Sequence, residues 1–375
     1  MPNIQDHAIS IGAQPFEMRP FDEIDSLILT QIVYMPMEGA LGQGESTTIA
    51  NLWRFLRETY PGGFEDPFQQ KRYMLTEACA NQPRYQDLVI HSHCHQIDPG
   101  REMQFGVCAF NLPGNQTYIA FQGTDWSLVG WKEDLNMSFM TVPSQLEAVA
   151  YTERIAAETG NILLIGGHSK GGNLAVYAGA RVNGATRDQI QRIYCFDGPG
   201  VDEKTLNSQA YGLISERIQS YLPQSCVVGV LLNYHPIYTV VLSDSRGILQ
   251  HDAMTWQVEN GAFLTLPDLD FGGKLADEAI NLWLKSMDTE TRRTLVQTLH
   301  QILETSQGES LDGLILHWYE SALRILDAVR DLDTDTRKNM RYLFSSLFGA
   351  SAISALRNLL PGIRRSKNSE FGIGD

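Results

Sequence analysis

The sequence lacks long apolar runs and an excess of basic residues. No apolar stretch approaches the roughly 18 residues that a membrane-spanning helix needs, and the N-terminus carries neither the basic nor the apolar segment of a signal peptide. Lys and Arg number 29 against 44 Asp and Glu, a formal net charge of −15. Nucleic-acid phosphates and anionic membranes repel such a chain. We therefore expect no nucleic-acid partner, and a cytoplasmic globular protein that can bury a sizeable core.

Cysteine is scarce and shows no pairing pattern. The five cysteines are an odd number without CxxC spacing, and they are Cys79, Cys94, Cys108, Cys195 and Cys226. Several lie in apolar, strand-like runs, so we predict buried free thiols in a reducing compartment. No motif indicates an organic cofactor.

Zinc-ligand motifs are also scarce. His91, His93 and His95 alternate along a predicted strand, which places them on one face of it. Three imidazoles on one face can bind zinc, but no HExxH motif or Cys/His pair lies nearby to complete the ligand set. We therefore expect an exposed strand face and no metal.

Apolar periodicity predicts helices first and strands afterwards. Residues 1–20 are expected to be a loose lead-in. The predicted elements that follow are helices at 21–33, 51–60 and 67–80, and strands at 87–95, 104–112 and 116–122.

One later stretch carries the chemistry. The apolar run 161–165 leads into Gly167-His168-Ser169-Lys170-Gly171, and a small-residue, helix-compatible segment follows to about residue 184. A G-x-S-x-G pentapeptide between a strand and a helix is the nucleophile elbow of serine hydrolases. On such a sharp turn only glycine allows close approach of the chain before and after the serine. The pattern predicts that Ser169 is a nucleophile.

A second stretch, at the end of the 116–122 strand, is the candidate for the oxyanion hole. In serine hydrolases one donor is the backbone N–H after the nucleophile, here Lys170, and a loop after an earlier strand supplies another. That loop reads Gly123-Thr124-Asp125. We predict Thr124 or Asp125 as the second donor, with Thr124 preferred.

These stretches resemble known families. Residues 120–125 (AFQGTD), with Trp131 and Asp134, and the elbow GHSKGG at 167–172 are similar to class 3 (fungal-type) lipases. The match is closer to a bacterial Mbeg-like domain family of the α/β-hydrolase clan, carried also by 21–27, 130–134, 196–200, 250–252 and Trp256. The resemblance implies an α/β-hydrolase fold, with a mostly parallel sheet flanked by helices, and an esterase or lipase activity.

Chain order in this fold is nucleophile, acid, base. We predict His251 as the general base because class 3 lipases place theirs in a similar loop before a strand bearing Trp; His235 is the alternative. Those lipases carry the acid after the strand that corresponds to the apolar run 226–232, where this chain has no carboxylate. Asp197, after the preceding strand, is therefore the preferred acid, and Asp244 the alternative.

The domain prediction is a hydrolase domain at 21–272, a helical C-terminal region at 273–365 and a flexible tail at 366–375. The last region carries apolar residues at helical spacing without a strand signal, and its final helix is amphipathic before a basic tail. Contact of that helix with its own domain or with a second copy is the main expectation, and peripheral membrane contact is the alternative. Oligomeric state stays open.

The predicted function is a serine hydrolase that cleaves a small-molecule or lipid ester through an acyl-enzyme. Two alternatives remain. An acyltransferase would pass the acyl group to an acceptor other than water. A non-catalytic scaffold would keep the elbow for packing and bind a partner through its helical region.

Overall fold

The computed structural model describes residues 2–41, 45–124, 130, 133, 136–137, 140–274 and 277. The predicted helical region at 273–365 and the tail at 366–375 lie outside the described residues, except for positions 273, 274 and 277. Asp125, Trp131 and Asp134 also lie outside them.

The helices alternate with strands through most of the chain. They are α1 (Ile4–Ser10), α2 (Glu23–Ile32), α3 (Ile49–Thr59), α4 (Pro67–Ala80), α5 (Pro143–Thr159), α6 (Lys170–Arg181), α7 (Gly184–Gln189), α8 (Glu203–Leu206) and α9 (Gln209–Ile214). Short 3₁₀ helices cover Ser215–Arg217, Gly247–His251 and Ala253–Thr255. No helix in the described part of the chain has both the length and the apolar character needed to cross a membrane.

The strands form one large sheet and a small hairpin. They are β1 (Ser46–Thr48), β2 (Val89–Asp98), β3 (Met103–Leu112), β4 (Gln116–Phe121), β5 (Ile162–His168), β6 (Ile190–Phe196), β7 (Ile218–Pro223), β8 (Tyr238–Val241), β9 (Val258–Glu259), β10 (Ala262–Phe263) and β11 (Thr265–Leu266). The sheet order is β1-β2-β3-β4-β5-β6-β7-β8-β11. Strands β4 to β8 run parallel, and antiparallel strands flank them on both sides. This is the α/β architecture with a central parallel sheet.

The sheet is buried on both faces, as a parallel sheet covered by helices requires. Along β5, Leu164 packs into the cluster that contains α2, whereas its neighbours Leu163 and Ile165 pack into the cluster that contains α5 and α6. The uninterrupted apolar run of β5 follows from this double burial. The parallel strands end together at one edge, and the candidate site lies there.

Residues 1–20 are not the loose lead-in that the sequence suggested. Asn3 caps α1 with its side chain, and Ile4 and Ala8 are fully buried. The backbone N–H of Val258 donates to the carbonyl of Pro2 at 3.0 Å. The segment is short and weakly periodic, so its docking depends on partners far along the chain.

A buried ion pair fixes the loop after α1. Arg84 and Asp25 are both fully buried as side chains and form paired hydrogen bonds, from Nε to Oδ1 at 2.9 Å and from Nη2 to Oδ2 at 2.5 Å. Arg84 Nη1 donates to the carbonyls of Gln14 and Arg19, each at 2.9 Å. One guanidinium thus ties the N-terminal segment to α2.

Candidate active site

Ser169 occupies a strained turn between β5 and α6. Its backbone has φ 58° and ψ −131°, a region that residues other than glycine rarely adopt. Holding such a conformation costs about 1–3 kcal/mol and occurs mainly at functional positions. The side chain is half-buried, and its hydroxyl does not cap the helix that follows. The hydroxyl forms no hydrogen bond with any residue the structure describes.

The glycines on either side of Ser169 are required by close backbone contact. A Cβ at Gly167 would lie 2.2 Å from the carbonyl carbon of Gly171, and a Cβ at Gly171 would lie 2.2 Å from the carbonyl oxygen of Phe121. Both distances are far below a van der Waals contact. The motif therefore records how tightly β4, β5 and α6 meet at this point.

The structure brings His251 and Asp197 together. His251 Nδ1 lies 2.6 Å from Asp197 Oδ2, and the Asp197 side chain is 1% exposed. A carboxylate can only accept, so the proton of the neutral ring is on Nδ1 and Nε2 is left as an acceptor. Asp197 follows β6 with φ 47°, a left-handed conformation that Asp tolerates better than most residues.

The second oxygen of Asp197 has its own donors. Oδ1 accepts from the backbone N–H of Gly229 at 3.0 Å and from the thiol of Cys226 at 2.8 Å. Burial and the neighbouring carboxylate raise the pKa of Cys226 well above its ordinary value, so the thiol keeps its proton and donates it. A Cβ at Gly229 would lie 2.6 Å from Oδ1, so the loop can approach only as glycine.

His168, one residue before Ser169, is hydrogen-bonded to the loop that contains His251. Its Nε2 lies 2.7 Å from the carbonyl oxygen of His251, and the two ring centroids are 4.6 Å apart. Burial, together with the nearby His251 and Arg72, holds the pKa of His168 well below its ordinary value. The ring is therefore neutral and donates from Nε2. Through this contact the strand that ends in the elbow directly supports the loop that bears the candidate base.

Two further contacts hold the 3₁₀ segment around His251. Trp256 Nε1 donates to the carbonyl of Gln250 at 2.8 Å, and Lys71 Nζ on α4 lies 2.5 Å from Asp252 Oδ2. The His251 side chain remains 20% exposed. A ring held on both sides and still open to solvent can exchange a proton with a bound molecule.

The Gly123 loop lies against the elbow. A Cβ at Gly123 would lie 2.7 Å from the carbonyl oxygen of His168 and 3.2 Å from Ser169 Cβ. The N–H of Gly123 donates to Tyr34 Oη at 2.8 Å. Thr124 is the next residue, and Lys170 begins α6 directly after Ser169. The two predicted oxyanion donors thus belong to segments that meet at Ser169.

The alternative base and acid are not part of this arrangement. His235 Nδ1 lies 2.9 Å from Tyr211 Oη on α9, and burial lowers the pKa of its ring. Asp244 is exposed, and its side chain forms no hydrogen bond with any residue in the described ranges. The run 226–232, expected as a strand, consists of turns; the strand is β7, and the loop after it, 224–237, has no carboxylate.

The prediction that His91, His93 and His95 share one face of β2 is wrong. Ser92 has φ 54°, and the register with β3 shifts by one residue between His91 and Cys94. The extra residue reverses the alternation of side chains, so His95 lies on the other face of the strand from His91. His95 Nδ1 is 3.5 Å from Glu38 Oε1. Within the described residues no group of three or more His, Cys, Asp or Glu could hold a metal ion.

Sequence reasoning missed the residues that support the site. His168 stood inside the recognised motif without a role, and Cys226 was expected only as a buried thiol. A cysteine and a glycine three residues apart in an apolar loop give no local signal of contact with a carboxylate. Their role depends on a contact about 30 positions away in the chain.

The residue types that meet at this edge of the sheet are those used for proton transfer. A serine hydroxyl on a strained turn lies beside the loop of an imidazole whose other nitrogen is bonded to a buried carboxylate, and backbone amides begin a helix at the same place. Proton abstraction from the serine and stabilisation of an oxyanion are the chemistry that such groups support.

Comparison with solved structures returns lipases at low similarity. One is a fungal lipase–inhibitor complex, 13% identical, covering 67% of this chain and 90% of that one, with a TM-score of 0.39. Another is Rhizomucor miehei lipase with its propeptide, 15% identical, covering 64% and 71%, with a TM-score of 0.35. A third is M37 lipase, 11% identical, covering 57% and 70%, with a TM-score of 0.37. The fold assignment rests on the sheet order and the strand–Ser169–helix turn.

No curated protein sequence matches the chain. The model of the Mbeg1-like family matches residues 79–301, more than half of the sequence. The matched segment begins at the end of α4 and includes the elbow, Asp197 and His251. The chain belongs to the Mbeg1-like family.

Proposed function

We propose that the chain is a serine hydrolase that cleaves a carboxylic ester through an acyl-enzyme. The observation that carries the proposal is the 2.6 Å contact between His251 Nδ1 and Asp197 Oδ2, in a loop hydrogen-bonded to the residue before Ser169. A scaffold that used the elbow only for packing would have no need of a buried carboxylate joined to a partly exposed imidazole.

The first half of the reaction forms the acyl-enzyme. Ser169 Oγ attacks the ester carbonyl carbon while His251 Nε2 takes the hydroxyl proton. Asp197 holds the ring and stabilises the imidazolium that forms. The carbonyl oxygen becomes an oxyanion, which the backbone N–H groups of Lys170 and Thr124 stabilise. The carbon–oxygen bond to the leaving alcohol then breaks, and His251 returns the proton to that alcohol.

The second half regenerates the enzyme. Water attacks the acyl carbon, His251 takes one proton from it, and the carboxylic acid leaves as Ser169 regains its proton. An acceptor alcohol in place of water would make the protein an acyltransferase. No described contact favours water over an acceptor alcohol. Turnover of esters of increasing chain length distinguishes a small-molecule substrate from a lipid.

A reducing location is part of the proposal. All five cysteines are free, and four of them are buried. Cys226 acts as a donor to Asp197 only as a thiol. These features support a cytoplasmic protein.

The test is covalent labelling with a fluorophosphonate probe, followed by turnover of p-nitrophenyl esters of increasing chain length. The wild type should be labelled and active, and Ser169→Ala should lose both properties while keeping its thermal unfolding midpoint. A folded wild type that neither reacts with the probe nor turns over any ester would contradict the proposal and favour the scaffold alternative.

A further inference from the structure

Lys170 has a side chain whose placement is costly. It is the first residue of α6, where the helix dipole disfavours a cation, and it is 1% exposed. Burying an ammonium is unfavourable unless it is paired and hydrogen-bonded. Its Nζ lies 2.9 Å from Glu133 Oε2, and 2.7 Å from both the carbonyl oxygen and the side-chain Oε1 of Gln104. A leucine of similar volume would need no hydrogen-bond partners. The buried ammonium is therefore expected to do more than fill space.

Lys170 determines which way the amide of Gln104 faces. An ammonium can only donate, so the oxygen of that amide must point toward Lys170. Its NH₂ group then points the other way, and Nε2 donates to the carbonyl oxygen of Gly123 at 3.3 Å. Gln104 lies on β3 and is fully buried.

The carbonyl of Gly123 belongs to the same peptide group as the N–H of Thr124. The peptide is planar, and no cis bond occurs in the described residues, so the C=O and the N–H point in opposite directions. A hydrogen bond that fixes one therefore fixes the other. Tyr34 Oη holds the preceding N–H of Gly123 at 2.8 Å, which leaves this peptide little freedom to rotate.

Glu133 anchors the other end of the network. Its Oε2 accepts from Lys170 Nζ and from the backbone N–H of Gln104 at 3.0 Å. Its Oε1 accepts from the backbone N–H of Ser144 at 2.9 Å, at the start of α5. The carboxylate thus compensates the buried ammonium and joins β3, α5 and α6.

We propose that Lys170, Gln104 and Glu133 form an orienting relay for the oxyanion hole. The Lys170 side chain orients the Gln104 amide, and that amide orients the N–H of Thr124. The backbone N–H of Lys170 is the other oxyanion donor. Gln104 and Glu133 are positioning residues, since they act through the Gly123–Thr124 peptide. The inference rests on the proposed serine hydrolase function, because it assigns the relay to that reaction.

Gln104→Met tests the relay. Methionine has a similar volume and leaves the Lys170–Glu133 contact in place, but it cannot donate to Gly123 and it removes the side-chain acceptor of Lys170 Nζ. Complete loss of one oxyanion donor costs about 100- to 1000-fold in turnover. A donor that is present but no longer held should cost about 10- to 100-fold in kcat, with KM within about twofold, because the oxyanion exists only in the transition state.

Gln145→Met is the matched control. Gln145 is also buried; its Nε2 donates to Asn173 Oδ1 at 2.8 Å and its Oε1 accepts from the N–H of Val142 at 3.2 Å. The same substitution there removes two buried amide hydrogen bonds outside the relay. Both variants should lose thermal stability, Gln104→Met the more because one of its lost hydrogen bonds comes from an ammonium, and Gln145→Met should keep kcat within about twofold of the wild type.

Inhibitors separate orientation from general damage. A trifluoromethyl ketone forms a tetrahedral adduct with a charged oxygen, whereas the corresponding alcohol does not. Gln104→Met should raise the inhibition constant of the ketone by the same factor by which it lowers kcat/KM, and should leave the inhibition constant of the alcohol unchanged. If Gln104→Met does not fold, Gln104→Glu replaces it, because it keeps an acceptor for Lys170. Its kcat should be reduced at every pH at which the new carboxylate is ionised, since an ionised carboxylate cannot donate to Gly123.

The outcomes distinguish the two claims. If the wild type is labelled and active but Gln104→Met keeps full kcat, or loses no more than Gln145→Met, the relay is wrong and the hydrolase assignment stands. A Gln104→Glu variant with wild-type kcat at every pH has the same meaning. A wild type that is neither labelled nor active overturns the proposed function and the relay together.

Discussion

Asp197→Asn is the sharpest test of the proposed mechanism. The change replaces one oxygen by NH₂ at nearly constant volume. Asn, like Asp, tolerates the left-handed backbone at this position, where φ is 47°. The fold should therefore survive, which Asp197→Ala would not guarantee, and the effect on activity reports on the electrostatics and tautomer of His251.

The structure determines how the new amide must face. Oδ1 of Asp197 accepts from two donors, the N–H of Gly229 at 3.0 Å and the thiol of Cys226 at 2.8 Å. An NH₂ group there would oppose both, so the amide oxygen takes that place and the NH₂ faces His251. The ring must then accept at Nδ1 and carry its proton on Nε2. A protonated Nε2 cannot take the proton of Ser169.

The expected loss is about 10,000-fold in kcat near neutral pH, the typical effect of the wrong histidine tautomer in a serine hydrolase. The assay is steady-state hydrolysis of a p-nitrophenyl ester, with thermal unfolding measured on the same samples. Asp244→Asn is the control, because Asp244 is exposed and forms no side-chain hydrogen bond with the described residues. Wild-type kcat in Asp197→Asn, or the large loss in Asp244→Asn instead, would refute the reasoning.

Two further predictions concern stability. Gly171→Ala should lower the free energy of unfolding, measured by chemical denaturation, by about 3 kcal/mol, since its Cβ would lie 2.2 Å from a backbone oxygen. Gly212→Ala in α9, where no atom of the described residues lies within 4 Å of the new Cβ, should leave it unchanged or raise it by about 0.5–1 kcal/mol. Burial lowers the pKa of His7 from 6.5 to about 4, so between these pH values the native state binds fewer protons than the unfolded state. The free energy of unfolding should therefore fall by up to about 3 kcal/mol as pH falls through this range. His7→Met should reduce the loss between about pH 7 and about pH 4 by that amount; an unchanged pH dependence would exclude His7 as its source.

Local patterns predicted the elements whose formation depends on neighbouring residues. Helix α4 has Asp66 as its N-cap and Pro67 at its first position, and it covers the range expected from the sequence, 67–80. The elbow was equally visible, because its strand, its glycines and its helix are contiguous. In both cases the information lies within one short window of the chain.

The errors arose where packing partners decide. The run 226–232 is apolar because its buried side chains pack in one cluster with Leu222 of β7 and Val240 of β8, not because it pairs as a strand. A Cβ at Gly229 would lie 2.6 Å from Asp197 Oδ1, so glycine is required there. The bulge in β2 depends on its register against β3, which single-strand alternation does not contain. The residue before α1's cap, Pro2, is hydrogen-bonded to Val258, far beyond any local window.

The sequence by itself determined that Ser169 would stand on a strand-to-helix turn, because glycine spacing and hydrophobic pattern are local properties of the chain. The resemblance to class 3 lipases made His251 the first candidate base, and the residues that follow the predicted strands left Asp197 and Asp244 as the candidate acids. Only the tertiary structure placed Asp197, and not Asp244, against His251 Nδ1, and only it joined Lys170 to Gly123 through Gln104. Those contacts form when separate strands end at the same edge of a sheet, and the order in which strands assemble is a property of the whole fold.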